Sequence, residues 1–352
     1  MAGLFEPLQL GDITLANRVV MAPMTRSRSD ANAVPTPIMT EYYRQRASAG
    51  LIVSEGIAPS RHGIGYCRTP GLYNAEQGAA WREITNAVHE AGGRIVAQLM
   101  HCGRVASRHN KAADAETVGP SSVRAAGRIF TDAAGMQEHD TPRALTLAEI
   151  PRVVEEYAAA ARLALEAGFD GVELHCTSGY LPMQFMATNS NQRSDRYGGS
   201  AQNRVRFTIE TLEALVAAAR GRVGMRICPG NPFNDVLDPD PGETYTALLA
   251  GSAYLRLAYL HVVRSPLRDF DAFAHARGVF KGPIILNDGF DGVTAARALA
   301  DGSGEAVSFA RHYIGNPDLV RRLREGLPIA GFNHKTIYTP GQAGYTDYPF
   351  AS

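Results

Sequence analysis

The feature that most constrains this chain is a serial alternation. Short apolar, β-branched runs alternate eight times with stretches of helical periodicity. The strand candidates are RVVMAPM (18–24), LIVSEGIA (51–58), RIVAQLMH (94–101), GVELH (171–175), VGMRICP (223–229), AYLHV (258–262), PIILND (283–288) and AVSFAR (306–311). Helical patterns follow them at 36–49, 75–91, 147–167, 205–220, 244–253, 270–277, 293–300 and 316–325. The first of these helices opens with Thr-Pro, and the third is closed by Gly168. Eight strand–helix units in series predict an α/β fold of one closed (β/α)8 TIM barrel over residues 1–352. No Gly-x-Gly-x-x-Gly follows the first strand, which argues against a dinucleotide-binding open sheet. Three segments stand outside the repeat: a polar insertion after the third strand (105–145), a long loop (181–204) and a Gly/Pro/Tyr-rich tail (328–352). Long loops at the carboxyl end of a barrel are where function sits. The tail either covers a pocket or meets another subunit.

Charge and cysteine usage exclude several classes. Lys plus Arg equals Asp plus Glu at 35 each, so no global surplus points to nucleic acid or an anionic membrane. The start MAGLFEPLQLGD has no charged n-region or apolar core, and no run reaches the length of a membrane span. Cys67, Cys102, Cys176 and Cys228 are scattered singly, without metal or disulfide spacing. His101 and His175 lack a carboxylate–histidine pattern, so no metal site is expected. The expectation is a cytoplasmic protein acting on a small molecule, as a monomer or homo-oligomer.

The strand ends carry the chemistry. In GVELHCTSGY (171–180), alternation sets Gly171, Glu173 and His175 inward, with Val172 and Leu174 outward. Gly179 allows a sharp turn that brings Tyr180 toward His175. An imidazole can hold a carbonyl oxygen and a phenol can deliver a proton; a core histidine and a packed tyrosine are the bland alternative. Arg226 faces inward, where it meets a ligand or pairs structurally with Glu55 or Glu173. Gln98 offers a donor and an acceptor to a ring edge, or bonds neighbouring backbone. Gly289 and Arg311, after the seventh and eighth strands, sit where barrels commonly bind phosphate. Amide, arginine and phosphate niche together describe a site for a phosphorylated, hydrogen-bonding ring such as flavin mononucleotide.

These residues lie in stretches that resemble the Old Yellow Enzyme family over essentially the whole chain. Among them are MAPMTRSRS (21–29), EGIAPSRHGIGY (55–66), PGLYN (70–74), QLMHCGR (98–104), ELHCTSGYLPMQFM (173–186), NSNQRSDRYGGSAQNR (189–204), IGNPDL (314–319) and GYTDYP (344–349). The resemblance implies non-covalent FMN touching Pro23, Thr25, Ala58, Gln98, His175 and Arg226, with phosphate contacts at Gly289, Ala310 and Arg311. Thr25 places the chain in the branch that carries threonine rather than cysteine there. The implied reaction is an ene-reduction. NAD(P)H reduces the flavin, then an activated alkene takes a hydride at its β-carbon while His175 and residue 178 hold its oxygen and Tyr180 protonates the α-carbon. The alternative is a redox-neutral flavin-dependent double-bond isomerase. Three departures stand out. Ser178 replaces the usual Asn or His, which shortens the reach of the second donor. Met100 replaces a frequent tryptophan, which implies a roomier pocket wall, and Ala310 replaces a glycine beside the phosphate. Tyr338, in IYTPG, matches a family tyrosine bordering the pocket.

Overall fold

The computed structural model describes residues 3–352. Eight parallel strands close into a barrel in chain order: Val19–Met21, Leu51–Ile57, Ile95–Leu99, Gly171–Cys176, Val223–Ile227, Tyr259–Val263, Ile284–Asn287 and Ala306–Phe309. All eight fall within the sequence-predicted runs or one residue beyond them. The outward residues of each strand, such as Val172 and Leu174 or Met225 and Ile227, join the large apolar layer beneath the helices. Helices Ala75–Glu90, Ile150–Glu166 and Arg206–Ala218 bury Trp81, Tyr157 and Phe207 against that layer. Their limits follow local chemistry: the Asn74 side chain accepts from the Gln77 N–H, and Gly168 takes the left-handed turn two residues past a helix end.

The interior of the barrel is layered. At the amino end, Val20, Leu51, Val53, Val96, Tyr259, Ile285 and Ala306 form an apolar plug. A hairpin of Leu8–Leu10 and Ile13–Leu15, which the alternation does not reveal, seals it from below with Leu10, Ile13 and Leu15. Tyr259 fills so much of this space that a Cβ on Gly224 would lie 2.2 Å from its ring, so glycine is required there. One layer higher the inward side chains are Gln98, Glu173, Arg226, His261, Asn287 and Ser308, all polar and all buried. Period-two alternation makes this switch within single strands: Val96 then Gln98, Tyr259 then His261, Ile285 then Asn287.

The segments outside the repeat carry more structure than their composition predicts. The insertion contains an antiparallel hairpin, Arg128–Thr131 with Gly135–Glu138. The loop 181–204 holds two short helices, Leu181–Met186 and Ala201–Arg204. The last predicted helix, 316–325, is the shorter Leu319–Glu325, and a further helix, Arg311–Gly315, precedes it; the Asn316 side chain separates the two by bonding the His312 and Ala330 carbonyls. Buried arginines hold the tail on the barrel: Arg26 donates to Gly344 O at 2.7 Å, Arg28 to Thr336 O at 2.9 Å, and Arg46 lies 3.8 Å from the Tyr42 ring on which Tyr345 stacks. Among the described residues no helix is long and apolar enough to cross a membrane.

Candidate active site

The polar layer is a continuous hydrogen-bonded network. Gln98 Nε2 donates to Glu173 Oε1 at 2.7 Å, and Glu173 Oε2 lies 2.9 Å from His261 Nδ1. Arg226 Nη1 donates to His261 Nε2 at 2.6 Å, and its Nη2 to Asn287 Oδ1 at 2.7 Å. A guanidinium only donates, so His261 accepts at Nε2 and carries its proton on Nδ1, toward Glu173. Burial, then the nearby Arg226 charge, pushes His261 down to about 4 and keeps it neutral. Burial alone would raise the Glu173 carboxyl; His261, Arg226 and Gln98 outweigh it and hold the group below its usual range. Arg226 therefore forms no direct ion pair with Glu55 or Glu173. Its charge reaches Glu173 through a neutral imidazole, which leaves a buried cation at the head of strand five.

His175 stands beside Arg226 in the strand register. The Thr177 N–H donates to His175 Nδ1 at 3.3 Å, so Nε2 bears the proton and is the group's donor. Burial, then Arg226, drives this imidazole down to about 3. It is a neutral donor throughout the working pH range. The chain then turns through Ser178 (φ +57°) and Gly179 (φ +73°); a Cβ on Gly179 would lie 2.5 Å from Phe233 O, so position 179 admits only glycine. This turn sets the Tyr180 ring edge-on to His175, with centroids 4.9 Å apart. Tyr180 Oη lies 3.2 Å from Tyr66 Oη, and burial raises Tyr180 well above a normal phenol and Tyr66 to about 12. Tyr66 closes the EGIAPSRHGIGY stretch. Its place in this pair had no signal in the sequence beyond that motif.

Above the network lies a cavity of about 940 Å³, walled by residues including Pro23, Thr25, Tyr66, Tyr180, Ala310, Arg311 and Tyr338. The insertion hairpin contributes Arg128, Phe130 and Met136 to one side of its mouth, and the tail contributes Ile337 to Pro340 to another. The tail thus walls the pocket. Of the remaining sequence candidates, Ala58, Gln98, His175 and Arg226 are buried next to strand ends, and Gly289 is exposed at the end of strand seven. Met100 is 3 % exposed and lies outside the cavity wall, packed with Tyr180, Cys102 and Val105; its side chain fills the space above Gly56. It packs behind Tyr180, which lines the cavity. The Ser178 hydroxyl is 2.6 Å from the Thr177 hydroxyl, and its carbonyl accepts from Asn234 Nδ2 at 2.8 Å. Among the described residues no group of three or more His, Cys, Asp or Glu is placed to hold a metal.

Residues 3–330 match the model of the NADH:flavin oxidoreductase / NADH oxidase family. The chain belongs to that family. It is 41% identical to a probable flavin mononucleotide-dependent alkene reductase of Leishmania infantum, across 99% of this chain and 97% of that one. Its backbone superposes with a TM-score of 0.95 on the old yellow enzyme homologue from Zymomonas mobilis, 40% identical, covering 98% of this chain and 99% of that one. Morphinone reductase in complex with tetrahydroNAD gives the same TM-score and identity, covering 100% of this chain and 98% of that one. This flavin oxidoreductase accordingly works with FMN and a nicotinamide reductant on C=C bonds. Its own residues fit that cofactor. The cavity wall carries Arg26, Arg68, Arg128, Arg311 and Lys335 against a single carboxylate, Asp132, a field suited to phosphorylated, anionic molecules. Arg311 is the most open of these guanidiniums described in an ion pair, with 74% of its side chain accessible.

Proposed function

We propose that this enzyme reduces electron-poor alkenes (enones, enals, maleimides, nitro compounds or nitrate esters) with NAD(P)H, using His175, Ser178 and Tyr180 on the substrate. FMN, when bound, supplies the hydride relay between the nicotinamide and the alkene. Pro23, Thr25, Ala58, Gln98 and Arg226 would hold its ring, and Gly289, Ala310 and Arg311 its phosphate. His175 Nε2–H binds the activating oxygen of the substrate. Because the imidazole is neutral, it stabilises charge growing on that oxygen by hydrogen bonding and keeps its proton. Ser178 provides a second, shorter-reaching hydroxyl, which is shared with Thr177. Tyr180 gives its proton to the α-carbon, and Tyr66, 3.2 Å away, can hydrogen-bond to the oxygen left behind. The observation that carries this reading is the pairing of a neutral imidazole donor with a phenol edge-on to it, the phenol lying in the wall of one large cavity.

The test is anaerobic. The yellow protein is bleached with NADPH and then mixed with 2-cyclohexenone. Recovery of colour with formation of cyclohexanone is the expected result. Bleaching without recovery would move the assignment to the double-bond isomerase, and a colourless protein that takes up no FMN would end the flavin reading.

A further inference from the structure

The end of strand seven holds a residue the proposed reaction does not use. Asp288 follows Asn287, the Arg226 partner, and precedes Gly289, and its backbone has φ +80°. A side chain in this left-handed region costs on the order of 1 kcal/mol, a cost glycine avoids. The Asp288 carbonyl accepts from Arg264 Nε at 3.4 Å, and its carboxylate lies 3.7 Å from Arg311 Nη2. Arg264 is itself set against two aromatic rings, 4.8 Å from Phe273 and 5.2 Å from Phe290, which fixes the turn from the outside. The carboxylate is therefore presented to the same guanidinium that the proposed function assigns to the flavin phosphate.

We infer that Asp288 is a built-in competitor for Arg311 that weakens the hold of this site on the FMN phosphate. The inference rests on the assignment of Arg311 to that phosphate. Two oxyanions, one fixed to the chain and one on the ligand, contend for one fork of donors. A phosphate that approaches Arg311 displaces the carboxylate from it and then stays close to an uncompensated like charge. None of the ring's candidate partners lies on strand seven, but Arg226 bonds Asn287 beside Asp288 and feels the Asp288 charge, so riboflavin is the control for any effect that reaches the ring. The competition acts most directly on the phosphorylated ligand, which predicts FMN retention that is modest and sensitive to salt.

The test compares FMN with riboflavin, which has the same ring and no phosphate, by fluorescence titration of flavin-stripped protein. Asp288→Asn keeps a side chain that tolerates positive φ and removes the charge. It is expected to tighten FMN about tenfold at low ionic strength and less at 0.5 M salt, with riboflavin unchanged. Arg311→Ala, run alongside, is expected to weaken FMN and leave riboflavin alone. If Asp288→Asn leaves FMN unchanged, or tightens both flavins alike, while Arg311→Ala acts on FMN selectively, the competitor role is overturned and the phosphate assignment survives. If Arg311→Ala fails to discriminate between the two flavins, the assignment falls and the inference falls with it.

Discussion

The lower and upper halves of the barrel interior are built from the same strands by opposite means. Below, seven apolar side chains and a sealing hairpin pack without a polar atom to satisfy except the Tyr259 hydroxyl. Above, a buried carboxylate, guanidinium and imidazole are held only because each donor meets an acceptor. Burying such charges gives little net stability. The difference teaches a division of labour: the lower half stabilises the barrel, and the upper half fixes protonation states and spends stability on positioning.

The largest expected effect is in the upper half and in one half-reaction. Tyr180→Phe should slow reoxidation of the reduced enzyme by 2-cyclohexenone roughly 10²–10⁴-fold. Reduction by NADPH should be unchanged in stopped-flow traces. Equal losses in both steps would show that the phenol only packs. Next comes Leu51→Ala in the lower plug, a fully buried position. It should cost about 2–5 kcal/mol in urea unfolding. FMN affinity in the surviving folded protein should be preserved, and a matching loss of affinity would erase the distinction between the halves.

The third prediction concerns Glu55, whose carboxyl burial raises to about 7 against partial relief from Arg26. A carboxyl raised on folding is protonated more readily in the native state than in the unfolded one. Its contribution is therefore complete below about pH 4.5 and is lost as pH climbs to 7, up to about 3 kcal/mol. Glu55→Gln should remove that slope, so the difference between wild-type and variant melting temperatures should grow across this window. A constant difference would mean Glu55 is ionised throughout. The smallest effect is at Ser178. Asn in its place extends a donor past the Thr177 hydroxyl and should raise kcat/KM for cyclohexenone by about tenfold, the value of one hydrogen bond made in the transition state. No change would indicate that His175 alone activates the oxygen.

Much of this was legible in the chain. Alternation along Gly171–Cys176 placed Glu173 and His175 inward, and the glycine at 179 marked the turn to Tyr180. These are short-range consequences of strand pleat and backbone freedom. The hairpin at Leu8–Leu15 was hidden because six residues of mixed polarity carry too little periodicity to announce a plug. The depth of Met100 was not legible because a strand-end position says nothing of where a flexible side chain settles; that depended on Gly56 leaving room. The partner of Arg226 was open between a ligand and one of two carboxylates. Within the protein its partners are an imidazole from strand six, 35 residues away in sequence, and the Asn287 amide from strand seven, adjacent only once the barrel closes.

The sequence by itself determined the repeat of eight units, the inward setting of Gln98, Glu173, His175 and Arg226, and the family to which the chain is similar. The first two follow from local spacing and the third from the residue identities of its motifs, all of which survive in one dimension. Only the tertiary structure decided which nitrogen of His175 and His261 holds a proton, that Tyr66 meets Tyr180, and that the carboxylate of Asp288 faces Arg311. Those outcomes depend on which groups share a buried space, and burial and mutual distance exist only after the strands have closed on one another.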